Sequence, residues 1–163
     1  VSIPFILLCL LIARAEYHIR SGEQWSFEIT GYDPRDLLRG HYLQFRLDYD
    51  WGTNIESCND EQKCCLCLTK TDKKVPKVHQ TSCETAKTQC DGYMQSAYQN
   101  SLNRFYISEN EAKRAEEILQ QARRDNNAYL SVSINIKGEP KIIDLLIGEY
   151  SINDILGVGE HKF

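Results

Sequence analysis

The chain has 163 residues, in which 19 Lys and Arg stand against 23 Asp and Glu, giving a formal net charge of −4 at pH 7. This length is enough for one compact domain and short for two. The basic residues are interleaved with acids and form no basic face for a phosphate backbone, which argues against nucleic-acid binding.

The first 15 residues predict a hydrophobic anchor or signal segment, followed by a single exported globular domain over residues 16–163. The apolar run from Val1 to Ala13 is shorter than the ~20 residues that cross a bilayer and has no basic leader, so we expect further residues upstream. Ala13-Arg14-Ala15 has the small-x-small form of a signal-peptidase site, whereas a retained anchor helix would need no cleavage. Both alternatives place the domain outside the cytoplasm.

Two strands are predicted after this segment. Residues Gln24 to Thr30 alternate between apolar and polar side chains, which indicates a half-buried strand that ends at Gly31. From His41 to Trp51 the odd-numbered positions after His41 are apolar and the even-numbered ones are mostly polar, which indicates a second strand with one buried face.

The connector between these strands carries rigid turn chemistry and several charges. Pro34 fixes its own φ for a turn, Asp33 can cap the amides that follow, and Gly40 lets the chain reverse. Such charges commonly cap backbone groups or pair locally, but loops held by rigid strands also collect recognition residues. The predicted interaction surface therefore consists of Asp33, Arg35, Asp36, Arg39, His41 and Tyr42.

The run from Gly31 to Leu43 resembles the signature of the GDYXXLXY protein family. An apolar start, a strand at Arg104–Ile107 that leads into a charged helix, and a final hairpin fall in that family's order. At the motif Gly-Asp-Tyr-x-x-Leu-x-Tyr itself, the chain keeps Gly40 and Tyr42 and has His41 in place of the aspartate.

This resemblance implies a membrane-anchored bacterial envelope protein without an established biochemical activity. It favours a retained anchor over cleavage, with an inner-membrane location and the globular domain in the periplasm. It also implies a multi-pass membrane protein as partner, because genes of the family often lie beside one.

Six cysteines are crowded into one third of the domain. They are Cys58, Cys64, Cys65, Cys67, Cys83 and Cys90. In an exported chain such crowding indicates a disulfide framework, but spacing alone does not choose among the pairings.

Local geometry favours one arrangement of these bridges. Alternation over residues 64–68 puts Cys65 and Cys67 on one face of a strand, whereas a helix over residues 83–90 keeps its two thiols about 10 Å apart. The thiols of that helix therefore cannot pair with each other. The predicted pairs join Cys83 and Cys90 to Cys65 and Cys67, and Cys58 to Cys64.

A zinc site is the alternative interpretation of the cysteines, with His79 as a further ligand. Zinc ribbons use two Cys-x-x-Cys hooks, and the sequence does not contain two. Helical thiols two turns apart also cannot both reach one ion with bonds of about 2.3 Å. We therefore predict disulfides and no cofactor, with zinc at the cysteine cluster as the lesser alternative.

The C-terminal half predicts a helix and a hairpin. Residues Glu109 to Arg124 form the main helix, which Ser108 and Glu111 open in capping-box form. Residues 128–136 and 141–147 flank a short loop and predict the hairpin. The predicted fold is α+β, a curved and mostly antiparallel sheet that carries one main helix. The apolar stripe of that helix is Ala112, Ala115, Ile118, Leu119 and Ala122.

Two functions of different class are compatible with these features. The favoured one is a non-catalytic, membrane-anchored envelope protein that acts as an interaction module. The alternative is an envelope hydrolase or metal-dependent enzyme that uses the cysteine-rich region or His41. An enzyme requires a cleft at His41 with an acid within hydrogen-bond reach, whereas an interaction module requires an exposed recognition surface.

Overall fold

The strands of the chain form two sheets, and four α-helices accompany them within residues 2–32, 42–52 and 64–157, the ranges that the computed structural model describes. The strands are β1 (Glu23–Tyr32), β2 (Tyr42–Asp48), β3 (Asp50–Trp51), β4 (Cys64–Thr69), β5 (Lys77–Ser82), β6 (Gly92–Gln95), β7 (Arg104–Tyr106), β8 (Ala128–Ile134), β9 (Pro140–Ile147) and β10 (Tyr150–Ser151). The helices are α1 (Ser2–Ser21), α2 (Cys83–Gln89), α3 (Glu109–Arg124) and α4 (Ile152–Leu156), and residues Ser96–Ser101 form a 3-10 helix.

The larger sheet has six strands in the order β10-β9-β8-β1-β2-β7, and each neighbouring pair is antiparallel. Irregular pairing after Ile29 and after Ser131 marks bulges, which increase the twist of a sheet. The sheet curls so far that Cα atoms of β7, at one edge, come within 8 Å of β9 near the other edge. The predicted α+β fold with a curved antiparallel sheet is confirmed.

The core fills the concave side of this sheet, against which α3 packs. On β1 the predicted alternation is confirmed, since Trp25, Phe27 and Ile29 are buried. Leu43 and Phe45 of β2 are buried from the same side. The apolar residues at every second position of these central strands therefore form the core.

Helix α3 has the predicted bounds, and the predicted stripe lies against the sheet, with Ala115, Leu119 and Ala122 buried. The predicted capping box is wrong. Ser108 occupies the N-cap position, but its side chain makes no capping hydrogen bond. The amide of Glu111 donates to the carbonyl oxygen of Ser108 at 3.1 Å, so the group that the hydroxyl would accept from is already used.

The strand predicted from His41 to Trp51 is divided between the two sheets. β2 ends at Asp48, and after Tyr49 the chain continues as β3, which pairs in parallel with β5. Trp51, placed on the buried face by alternation, is 50% exposed. The alternation fails there because the chain has left the sheet whose face set it.

The smaller sheet was not predicted as a sheet, and its order is β3-β5-β4-β6. Its inner strand β4 has four buried residues, from Cys65 to Leu68, and ends at the exposed Thr69. The two sheets meet where Gly92 of β6 lies under the indole of Trp25: a Cβ at this glycine would fall 2.4 Å from the ring. A side chain at residue 92 would therefore force the sheets apart.

The predicted hairpin is confirmed as β8 and β9, and β10 and α4, which follow it, were not predicted. Gly138, in the hairpin loop, has a φ of +73°, a conformation that suits glycine. α4 ends at Gly157, whose φ of +75° gives the left-handed cap common at helix C-termini.

The apolar N-terminal segment lies in α1, which continues beyond residue 15 to Ser21. Its large apolar side chains are exposed, from Phe5 to Ile12. None of the helices within the described ranges combines the length and apolarity that a membrane crossing requires. The anchor remains a prediction.

Because of Tyr49, we expect the folded chain to lose stability at alkaline pH. Its side chain is 7% exposed, its ring stacks edge-on against Phe27 at 5.5 Å, and its hydroxyl has no hydrogen-bond partner among the described residues. Burial raises the pKa of Tyr49 from 10.0 to about 12. The folded chain therefore holds this proton more tightly than the unfolded chain. The resulting stability is complete below the unfolded pKa and is lost as the pH rises through 10 to about 12.

Between about pH 9 and about pH 11, we expect wild type to lose about 1 kcal/mol more stability than Tyr49→Phe, measured by urea unfolding. The phenylalanine variant keeps the ring and removes only the titrating group. Equal losses in the two proteins would show that Tyr49 ionises as readily when folded as when unfolded.

Candidate functional site

Most of the predicted interaction surface falls on residues 33–41, which lie outside the described residues. This applies to Asp33, Arg35, Asp36, Arg39 and His41. It also applies to the alternative in which His41 takes part in catalysis. Tyr42, the last member of that surface, lies within the described residues, and its contacts with β7 define a candidate binding site.

Tyr42 opens β2 and lies opposite Tyr106 of β7 across the ladder. The two rings meet edge to face, with centroids 6.0 Å apart. Arg104, two residues before Tyr106 and therefore on the same face of β7, places its guanidinium carbon 5.1 Å from the centre of the Tyr42 ring. We call Tyr42, Arg104 and Tyr106 the Tyr–Arg cluster.

The cluster faces outward because Phe105, between Arg104 and Tyr106, points into the core and is buried. Tyr106 is 72% exposed. Aromatic pairing and cation–π attraction each contribute about 0.5–1 kcal/mol at exposed sites, enough to favour one arrangement of these side chains. Tyr and Arg side chains held in this way are typical of residues that dominate protein-protein interfaces.

A cleft of about 760 Å³ adjoins the Tyr–Arg cluster. It lies between residues 100–106, which include β7, and residues 140–142 at the start of β9. The charged side chains in its lining are Arg104 and Lys141, and both are basic. A chain with a net charge of −4 therefore presents a positively charged cleft here, which suits a ligand that carries carboxylates.

Strand edges border this β7–β9 cleft. β7 is the last strand of the six-stranded sheet. β9 has β8 on one side and β10 on the other, and β10 pairs with it only at Leu146 and Ile147. On the β10 side, the first residues of β9 therefore have no strand beside them in the described part of the fold. Free amide and carbonyl groups at a sheet edge are able to bind an extended segment as an added strand.

The cysteines form a second group of chemically reactive side chains. Two disulfides, Cys65–Cys83 and Cys67–Cys90, join β4 to the segment of α2. The prediction that the helical cysteines cross to Cys65 and Cys67 is therefore confirmed. Cys58 lies outside the described residues, so its pairing with Cys64 remains a prediction.

His79 lies beside one of the two bridges. It pairs with Cys67 across the β4–β5 ladder, and one of its ring nitrogens and the sulfurs of Cys67 and Cys90 all lie within 4.8 Å of one another. The predicted zinc alternative included these three residues. Cys65 and Cys83, which also belonged to that alternative, bond to each other and are not part of this group.

The shifted pKa values lie outside both the Tyr–Arg cluster and the cysteine group. A hydrogen bond and ion pair to Glu23, with an N–O distance of 2.5 Å, raise the pKa of Lys70, and burial raises the pKa of Tyr93. Like the shift at Tyr49, these arise from burial or from one surface ion pair. They mark no set of proton-transfer groups around the described residues.

A sequence profile of the GDYXXLXY protein family matches residues 4–145, which is most of the chain. The chain belongs to the GDYXXLXY protein family. No curated protein and no solved structure matches it significantly. The matched range includes β1, β2, β7 and α3, the elements that form and support the Tyr–Arg cluster.

In this GDYXXLXY protein, sequence reasoning identified Tyr42 and missed its neighbours. Arg104 and Tyr106 flank the apolar Phe105, and that alternation alone indicates that both point away from the core. Their position beside Tyr42 depends on the pairing of β2 with β7, two strands far apart in the chain. No local pattern carries that information.

Proposed function

We propose that this GDYXXLXY protein is a non-catalytic, membrane-attached protein of the bacterial envelope whose domain lies in the periplasm. In this proposal it binds an acidic, extended segment of a multi-pass membrane protein. The binding site is the Tyr–Arg cluster together with the β7–β9 cleft. The observation that carries the proposal is the preorganised and exposed cluster at the end of the six-stranded sheet.

Attachment and export are supported by two features. The apolar side chains of α1 are exposed over more than two turns, a surface that is stable when lipid or another protein covers it. The two bridges between β4 and α2 are typical of chains that fold in an oxidising compartment. Retention in the membrane fraction after alkaline extraction tests the first feature.

The lining of the cleft supports an acidic and extended partner. Arg104 offers a planar fork of donors that suits a carboxylate, and Lys141 adds a second positive charge on the opposite wall. The edges of β7 and β9 add backbone groups that pair with an extended chain. An acidic loop between membrane spans combines both properties and is held near the domain by the same membrane.

Photo-crosslinking at two matched tyrosines tests the site. Tyr106 and Tyr150 are 72% and 71% exposed. Tyr106 lines the cleft, whereas Tyr150 lies on β10, which pairs with the far end of β9 at Leu146 and Ile147. With a photoreactive residue at either position of the full chain in its native membrane, we expect a discrete adduct to a multi-pass membrane protein from position 106. We expect the yield there to exceed that from position 150 by about tenfold, because interface contacts concentrate in a small patch.

A second substitution separates the charge of the site from its location. Arg104→Glu, added to the chain with the photoreactive residue at position 106, is expected to reduce the adduct by about tenfold, because it opposes a carboxylate where one was bound. Lys137→Glu is the control, an exposed basic residue outside the cleft. Equal yields from positions 106 and 150, or no effect of Arg104→Glu, would contradict the proposed site.

A further inference from the structure

The two bridges are alike in the elements that they join and differ in what faces them. Cys65 and Cys67 lie on the same face of β4, and each bonds to a cysteine at an end of the α2 segment. Across the β4–β5 ladder, Cys65 faces Thr81, whereas Cys67 faces His79. One bridge therefore has an imidazole beside it, and the other has a buried threonine.

The geometry at Cys67 is that of an incomplete metal site. Its sulfur, the sulfur of Cys90 and a ring nitrogen of His79 lie within 4.8 Å of one another. In tetrahedral zinc, bonds of about 2.3 Å to sulfur and about 2.0 Å to nitrogen place neighbouring ligand atoms about 3.5–3.8 Å apart. Once the sulfur–sulfur bond is broken, movements of about 1–2 Å bring the three atoms to those separations.

Nothing in the described part of the chain holds the His79 imidazole in another interaction. It makes no hydrogen bond, ion pair or ring contact there, and the side chain is half-buried. The backbone of Cys67 is held between β5 and β6, whereas Cys90 lies at the C-cap of α2, where a small displacement disturbs few contacts. One ligand is therefore fixed, and another is able to adjust.

A metal ion has a route to this place. Cys90 lines a cavity of about 300 Å³, whose charged lining residues are Glu23, Lys87 and Asp91. Water in that cavity is available as a fourth ligand, as in zinc sites with three protein ligands.

We propose that reduction of the Cys67–Cys90 bridge opens a site for Zn²⁺ formed by Cys67, His79 and Cys90. A dithiol supplies two electrons and two protons: the sulfur–sulfur bond of the protein breaks, two thiols form, and the dithiol becomes a disulfide. Zn²⁺ then binds both sulfurs as thiolates together with the neutral imidazole, and the two thiol protons pass to water. The bridge keeps the site closed, and reduction opens it.

This site lies on the smaller sheet and is independent of the Tyr–Arg cluster. Two double variants with the same number of cysteines test it: Cys65→Ala/Cys83→Ala, which keeps the proposed ligands, and Cys67→Ala/Cys90→Ala, which removes two of them. Each full chain is reduced with a phosphine, desalted without oxygen, and titrated with Zn²⁺ against a chromophoric chelator. We expect the first variant to bind one equivalent of Zn²⁺ when reduced and none when oxidised.

The second double variant is expected to bind Zn²⁺ at least about 100-fold more weakly. His79→Gln in the first variant should cause a loss of similar size, since even outer-shell partners of a metal contribute about 10–100-fold. Co²⁺ in place of Zn²⁺ should give thiolate-to-metal charge-transfer bands in the first variant alone. Equal affinity in the two double variants, or no effect of His79→Gln, would overturn the proposal.

A measurement on the wild-type chain covers the case in which a double variant fails to fold. The reduced chain is alkylated with and without Zn²⁺, and each cysteine is quantified by mass spectrometry. We expect Zn²⁺ to slow alkylation of Cys67 and Cys90 by about tenfold or more relative to Cys65 and Cys83. Equal protection of all four, or of none, would also overturn the site.

Discussion

Replacing Phe27 with alanine is expected to lower the free energy of unfolding by about 3–5 kcal/mol. Phe27 is 0% exposed and lies in the middle of β1, which is itself paired on both sides. Its removal leaves a cavity in the core and takes away the ring that Tyr49 packs against at 5.5 Å. Both the lost burial and the cavity contribute to the expected loss.

Phe5→Ala is the matched control, because the side chain of Phe5 is 68% exposed on α1. It is expected to change the free energy of unfolding by less than about 0.5 kcal/mol. Urea unfolding of both variants, with the disulfides intact and under one detergent condition, measures the difference. A loss below about 1 kcal/mol for Phe27→Ala would contradict a core centred on β1.

The elements that sequence predicts correctly are those in which one long face is buried. α3 and the strands β1, β2 and β8 each place apolar residues at a constant interval, and that interval is set by the helix or strand itself. The predicted capping box is wrong because it depends on a hydrogen bond to one hydroxyl. The carbonyl oxygen of Ser108 accepts the hydrogen bond from the Glu111 amide instead.

The smaller sheet was missed for the opposite reason. β5 contains one large aliphatic residue, Val78, and β6 has four residues, so neither carries a measurable alternation. These strands exist because β4 pairs with both of them and two disulfides hold α2 beside it. Such contacts join distant parts of the chain, and no local pattern records them.

The bridges themselves were predictable because covalent geometry leaves few choices. Thiols at the two ends of a short helix cannot meet, and alternate thiols on a strand share a face. What could not be predicted is that His79 would lie opposite Cys67, because that depends on the register of β5 against β4. A shift of one residue would turn His79 to the other face of the sheet.

Loss of the Cys65–Cys83 bridge through paired alanine substitutions is expected to lower the free energy of unfolding by about 3 kcal/mol. The bridge spans 18 residues, and Cys67–Cys90 spans 23, so the chain entropy that each removes from the unfolded state is nearly the same. Peptide mapping under non-reducing conditions must first show these two links. A peptide that joins Cys65 to Cys90 would contradict the described connectivity.

The two loops overlap, because residues 67–83 belong to both. A second cross-link therefore restricts a chain that the first has already restricted, and we expect loss of both bridges to cost clearly less than about 6 kcal/mol. Urea unfolding of the two double variants and of the chain lacking all four cysteines measures this coupling. Strictly additive losses would mean that each bridge stabilises the folded contacts between α2 and β4 directly, whereas a smaller sum places their effect in the unfolded chain.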